Sequence, residues 1–214
     1  MGDIFREVDE DLQRDKFKQL WEKYNVVAIA AAVALVAGTG GWQAWKAYRI
    51  HRDEANSERY MAAGRLAATG KTKEAIAAYA EIGKDAGGGY AALARLHEAA
   101  LLAQMGDQAG ASAVYDEVAA DGGVERSLRD LATLLAVEHA GEKADAAALI
   151  KRLEPLTDAG NPWRYSAIEL SAVLATRMGD VAKARTLYAQ IADDGGAPAS
   201  LRARAAEMLA ALKS

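Results

Sequence analysis

Reactive chemistry needs a small set of side chains held at short range, and this chain is poor in them. Its 214 residues include three histidines and no cysteine. Without a thiol, disulfides, thiolate zinc sites, iron–sulfur clusters and cysteine nucleophiles are all excluded. His51, His97 and His139 have no second ligand at a helical spacing that would complete a metal site, so no metal is expected. His51 reads as surface, and His97 and His139 fall on predicted helices, where a packing role is the simpler reading. Gly87, Gly88 and Gly89 follow a predicted helix rather than a strand and lack the Lys-Ser/Thr of a phosphate-binding loop, so the run reads as a connection. The carboxylate pairs Asp116/Glu117 and Asp193/Asp194 are neighbours in sequence, which sends them apart around a helix or into a turn. No catalytic constellation and no cofactor site is expected, and the chain does not read as an enzyme.

The elements that must place these residues are helices. Alanine accounts for 51 positions against three prolines and two phenylalanines. Alanine has the best helix propensity and lets helix axes approach closely, so the predicted fold class is all-α. An apolar content of 51% with 26% charged residues is enough for a packed core with a solvated surface. The net charge of −4 gives no footprint for nucleic acid.

Val26 to Trp45 contains no Asp, Glu, Lys, Arg or His over 20 residues. As a helix this stretch is roughly 30 Å long, the thickness of a hydrocarbon core. Trp21 and Tyr24 precede it and Trp42 and Trp45 close it, the arrangement of rings at the two headgroup levels. The expected organisation is a charged cytoplasmic segment at 1–25, a transmembrane helix at 26–45, a juxtamembrane helix or linker at 46–55, and a repeat domain at 56–214. The rival readings are a buried helix of a soluble domain and a cleaved signal peptide, but residues 1–25 hold seven acidic residues where a signal peptide has a short basic region. Five basic residues lie on each flank, so charge alone does not orient the span. The highly charged tail carries no export signal of its own, which favours the N-terminus inside. Ala30, Ala34 and Gly38 form a stripe of small residues along it.

Beyond residue 56 the chain repeats itself. Gly70/Ala75/Tyr79/Ile82, Gly106/Ala111/Tyr115/Val118, Gly141/Ala146/Ile150/Leu153 and Gly179/Ala184/Tyr188/Ile191 share one spacing, with glycines 36, 35 and 38 residues apart. The interval is close to that of the tetratricopeptide repeat, in which helical hairpins stack side by side. The glycine suits a turn between helix A and helix B, the alanine a close helix contact, and the two larger residues one face of helix B. Breaker-rich loops at 85–89, 121–123, 158–162 and 194–198 separate the units. A last helix, Ala199 to Lys213, places Leu201, Ala205, Met208, Leu209 and Leu212 on one side and reads as the C-terminal capping helix of a solenoid. In such a stack helix A lines a concave face suited to a peptide or partner helix. By repeat register its candidate residues are Tyr60, Leu96, Ala100, Leu131, Leu135, Glu138, His139, Val173 and Arg177.

Taken together, the charged opening AspIlePheArgGluValAspGluAsp (3–11), the span ending in Gly-Trp-x-x-Trp (Gly41, Trp42, Trp45) and the helical repeats resemble the YfgM-like ancillary subunit of the SecYEG translocon, in its alphaproteobacterial form. The resemblance implies a single-pass protein of the bacterial inner membrane with a periplasmic domain. It further implies association with SecYEG and a PpiD-like periplasmic chaperone, and a part in handing exported proteins onward. It brings no catalytic residues. The first unit carries Arg59 and Ala62-Ala63 where typical tetratricopeptide repeats have a tryptophan and a Leu-Gly pair. A coordinator of envelope assembly or cell division is the alternative, because the same repeats occur in such proteins.

Overall fold

A computed structural model describes the backbone of residues 3–212 and the side chains of residues 18, 21, 23–27, 29, 30 and 33–212. Lys213, at the end of the expected capping helix, lies outside the described residues. Among the described residues all regular structure is helical. The helices are α1 (Asp3–Ala68), α2 (Thr72–Asp85), α3 (Gly89–Gln104), α4 (Gln108–Ala120), α5 (Arg126–Glu138), α6 (Ala146–Leu153), α7 (Arg164–Arg177), α8 (Val181–Ala192) and α9 (Ala199–Ala211). The chain divides into two compact units, Met1–Ala55 and Asn56–Ser214.

In the first unit the stretch 26–45 is helical throughout. Its described large apolar side chains, Val26, Val27, Ile29, Val33, Leu35, Val36, Trp42 and Trp45, are all exposed. The side chains of Ala28, Ala31 and Ala32 lie outside the described residues. Thr39 donates from Oγ1 to the carbonyls of Leu35 (2.8 Å) and Val36 (3.0 Å), so its hydroxyl is satisfied within the helix. Among the described residues no helix is long and apolar enough to cross a membrane.

The second unit is built from hairpins: residues 56–68 of α1 with α2, α3 with α4, α5 with α6, and α7 with α8, followed by α9. All four repeat glycines occupy the A–B turns at φ of +78°, +88°, +74° and +76°. At three of them the same pair of bonds closes the turn, as in Gly106 N to Ala103 O (2.9 Å) and Asp107 N to Leu102 O (3.0 Å). This Schellman geometry satisfies the last carbonyls of helix A. The next residue then starts helix B: Asp107 accepts from Gly110 N (2.9 Å) and Asp180 from Lys183 N (3.0 Å).

With that turn made, helix B folds back and buries its marked face. The alanine, the large residue and the aliphatic of all four units are buried, none more than 8% exposed. Tyr188, Ile82, Leu153, Ile191 and Val118 come from these positions and are among the largest fully buried side chains; Ile168 of α7 joins them from outside the pattern. Truncating any one to alanine costs roughly 2–5 kcal/mol. A small residue on helix A meets them in three units, Ala63, Ala99 and Ala172, each seven before its glycine and wholly buried. The third hairpin departs: α6 stops at Leu153 and a 3₁₀ turn, Glu154–Thr157, follows. Pro155 lacks the N–H that a continuing α-helix needs, and the 3₁₀ turn still buries Leu156. α9 covers the end of the stack with buried Ala205 and half-buried Leu201, Met208, Leu209 and Leu212.

A Cβ added at Gly106 meets nothing within 4 Å, so only backbone strain opposes a side chain there. Gly106→Ala is expected to lower stability by roughly 1–2 kcal/mol in urea unfolding. Gly122→Ala, also in open space but not at positive φ, is expected to be neutral or slightly stabilising.

Candidate functional site

Counting back from each glycine, positions −9, −6 and −2 form one stripe of helix A: Met61, Gly64 and Ala68; His97, Ala100 and Gln104; Ala132, Leu135 and His139; Leu170, Val173 and Arg177. The stripe is small or apolar at most places. Met61 is 58% and Val173 47% exposed. The candidate residues read from the sequence divide in two. Glu138, Val173 and Arg177 are exposed, whereas Tyr60, Leu96, Ala100, Leu131, Leu135 and His139 are half-buried. Met61 and the 38%-exposed Leu93 were missed, although Met61 sits at the −9 place held by His97 in the next unit.

Two histidines stack on core tyrosines across hairpin boundaries. His97 lies 5.3 Å from the Tyr79 ring at 15°, and His139 lies 5.7 Å from Tyr115 at 15°. Tyr60 packs edge-on against Tyr79, Tyr90 and His97 at 5.4, 6.0 and 5.6 Å. Burial pushes the phenols of Tyr60, Tyr79 and Tyr115 above their ordinary range. These rings therefore stay neutral at physiological pH and offer shape and apolar area rather than proton transfer. His139 Nδ1 also meets Gln108 Oε1 at 2.6 Å, and Arg177 donates to the carbonyls of Gly141 (3.3 Å) and Ala144 (2.9 Å). These two candidates tie the turn of one hairpin to the end of the next helix A.

Polar side chains elsewhere fasten the hairpins. Arg59 meets Asp85 at 3.2 Å and Arg95 meets Asp121 at 3.1 Å, each arginine 11 before and each aspartate 15 after its glycine. In the fourth unit Asp194 holds the same place and accepts from Arg164 (3.3 Å) and Tyr165 (3.0 Å). In the third the polarity is reversed: Asp130 stands at the arginine position and accepts from Asn161 Nδ2 (2.8 Å), while Trp163 Nε1 donates to Ser127 O (2.9 Å). Asp116 pairs with Arg152, and Glu169 accepts from Arg204 Nη2 at 2.6 Å. Asp116 and Asp194 are thus structural clasps. Glu98 is held above the usual carboxylate range by burial and then by the Glu117 charge, with Lys84 and Arg95 pulling it back. Among the described residues no group of three or more His, Asp or Glu side chains is placed to hold a metal ion. An open hollow of about 490 Å³ is lined by Glu125, Arg126, Ser127, Asp130, Asp158, Gly160, Asn161 and Pro162, with polar and apolar surface in equal measure.

A family model described as a tetratricopeptide repeat-like domain matches residues 18–211. The chain belongs to that family. No curated protein matches the sequence. A tetratricopeptide repeat-like domain of stacked hairpins implies protein partners in general.

The Asp194 carboxyl is held below the usual range by Gly196 N–H and then by the Tyr165 hydroxyl, and that of Asp121 by Gly123 N–H and then by Arg95. A carboxylate depressed on folding stabilises above its unfolded pKa of about 3.9, and the gain is lost as pH falls through the lower folded value. Asp194→Asn is expected to lower the Tm by a few degrees at pH 7. The difference from the unsubstituted protein should shrink steadily as pH falls below about 4, as read by circular dichroism melts across that range.

Proposed function

We propose that this chain is a scaffold tethered to the bacterial inner membrane, where it assists exported proteins beside the SecYEG translocon together with a PpiD-like periplasmic chaperone. Residues 26–45 cross the bilayer once, 1–25 stay in the cytoplasm, 46–55 join the span to the repeats, and 56–214 work in the periplasm. One observation carries the reading: a 20-residue helical stretch without charge, its described large apolar side chains exposed, is joined to a domain built for protein recognition. Exposed apolar surface of that extent is unfavourable in water and calls for a lipid or protein cover. Trp21 and Tyr24 on one side and Trp42 and Trp45 on the other take the two headgroup levels, all four exposed. The family match begins at residue 18 and so takes in the uncharged stretch along with the repeats. Clients meet the helix A stripe through Met61, Leu93, Leu135 and Val173.

Protease added to spheroplasts is expected to digest 56–214 and spare 1–25; a protected repeat domain overturns the topology. Photocrosslinkers at Val173 and within 26–45 are expected to trap PpiD and SecY in intact membranes, and their absence from the trapped species sinks the translocon role.

A further inference from the structure

We infer that the C-terminal end of the uncharged stretch is a site for anionic phospholipid headgroups, formed by Lys46, Arg49 and Arg52 beside Trp42 and Trp45. The inference rests on the proposal that residues 26–45 span the bilayer, and it gives that span a lipid preference.

From Lys23 to Arg52 the sequence has no aspartate or glutamate. The first three Lys or Arg residues beyond the stretch are Lys46, Arg49 and Arg52, one helical step of three from each other and on the face of α1 that carries Trp42 and Trp45. All five side chains are exposed. The nearest carboxylates in sequence are Asp53 and Glu54. Glu54 is taken by His51, Nδ1 to Oε2 at 3.3 Å, and among the described residues no carboxylate stands within ion-pair distance of Lys46, Arg49 or Arg52.

Depth selects the occupant. The Trp42 and Trp45 rings pack at 5.6 Å with a 40° tilt, and the Arg49 guanidinium lies 4.9 Å from the Trp45 ring centroid. An interfacial indole sits at the headgroup level, so the cation stacked on it is held there too. At about 1.5 Å per residue, Lys46 and Arg49 are within roughly 6 Å of Trp45 along the axis, about the thickness of one headgroup layer. The long stems of all three residues can lie along the acyl boundary while their charges reach outward. Two unpaired cations at that depth, with Arg52 roughly 5 Å further out along the helix, are complementary to lipids with a net negative charge, whereas the phosphate of a zwitterionic lipid is already balanced by its own ammonium.

The test uses the full chain in vesicles of phosphatidylcholine with a trace of spin-labelled phosphatidylglycerol or spin-labelled phosphatidylcholine, reading the motionally restricted lipid. Phosphatidylglycerol is expected to be preferred by at least about threefold. The preference should fall as salt is raised and drop to near parity in K46Q/R49Q/R52Q. Equal preference in that variant and the unsubstituted chain, or no preference in either, overturns the inference, as does its loss on adding millimolar inorganic phosphate, which would make this a site for the free ion. Flotation with carbonate-washed phosphatidylcholine vesicles reads the span separately, because it does not depend on lipid charge. Chains that float without lipid preference refute the headgroup site alone, and chains that fail to float refute the span and the site together.

Discussion

Each hairpin of the repeat domain depends on one backbone position at positive φ. Gly70, Gly106, Gly141 and Gly179 turn the chain back at the end of helix A, and that reversal presents the alanine, the large residue and the aliphatic of helix B to the neighbouring helices. The magnitudes differ in kind. Strain avoided at the glycine is worth roughly 1–2 kcal/mol, whereas each buried tyrosine, isoleucine or leucine behind it contributes roughly as much or more. Burial therefore holds the hairpin, and the glycine sets the direction in which burial becomes possible.

Polar contacts refine what packing establishes. Arg59–Asp85 and Arg95–Asp121 are better understood as registers that align helix A with the loop closing helix B, because solvent-screened ion pairs add little to stability. The third unit shows that the register tolerates other chemistry. There Pro155 shortens helix B, Leu156 fills the place of the clasp aspartate, and Asp130 with Asn161 and Trp163 secures the loop instead. The stacked histidines follow the same logic: a flat, polar-edged ring covers a core tyrosine where two hairpins meet.

The stripe of helix A is mostly small and apolar, with His97, His139 and Arg177 as its titratable members. The phenols of Tyr60, Tyr79 and Tyr115 are held neutral, and the clasp carboxylates are engaged with arginine, tyrosine or backbone N–H groups. Met61, Leu93 and Val173 stand open on helix A, and none of the hydrogen bonds or ion pairs described above has to be broken to reach them. The uncharged helical stretch of the first unit supplies a different surface, apolar along 26–45 and cationic beyond it.

Much of this was legible along the chain. Positive φ accepts few residues besides glycine, and close helix contact few besides alanine, so spacing and type alone located the turns, the helices they join and twelve buried positions. The uncharged stretch was equally plain, because charge is a property of composition. The repeats also held signals that went unread: the arginine at −11 with the aspartate at +15 recurs in two units, and the small residue at −7 in three. Other features needed the folded chain. Which helix A residues lie open, that Tyr60 meets three rings, and that His139 and Arg177 fasten turns 30 or more residues upstream follow from how neighbouring hairpins are set side by side. A local pattern records which face of a helix is apolar; how much of that face a neighbour covers depends on side chains distant in sequence, and only packing brings them together.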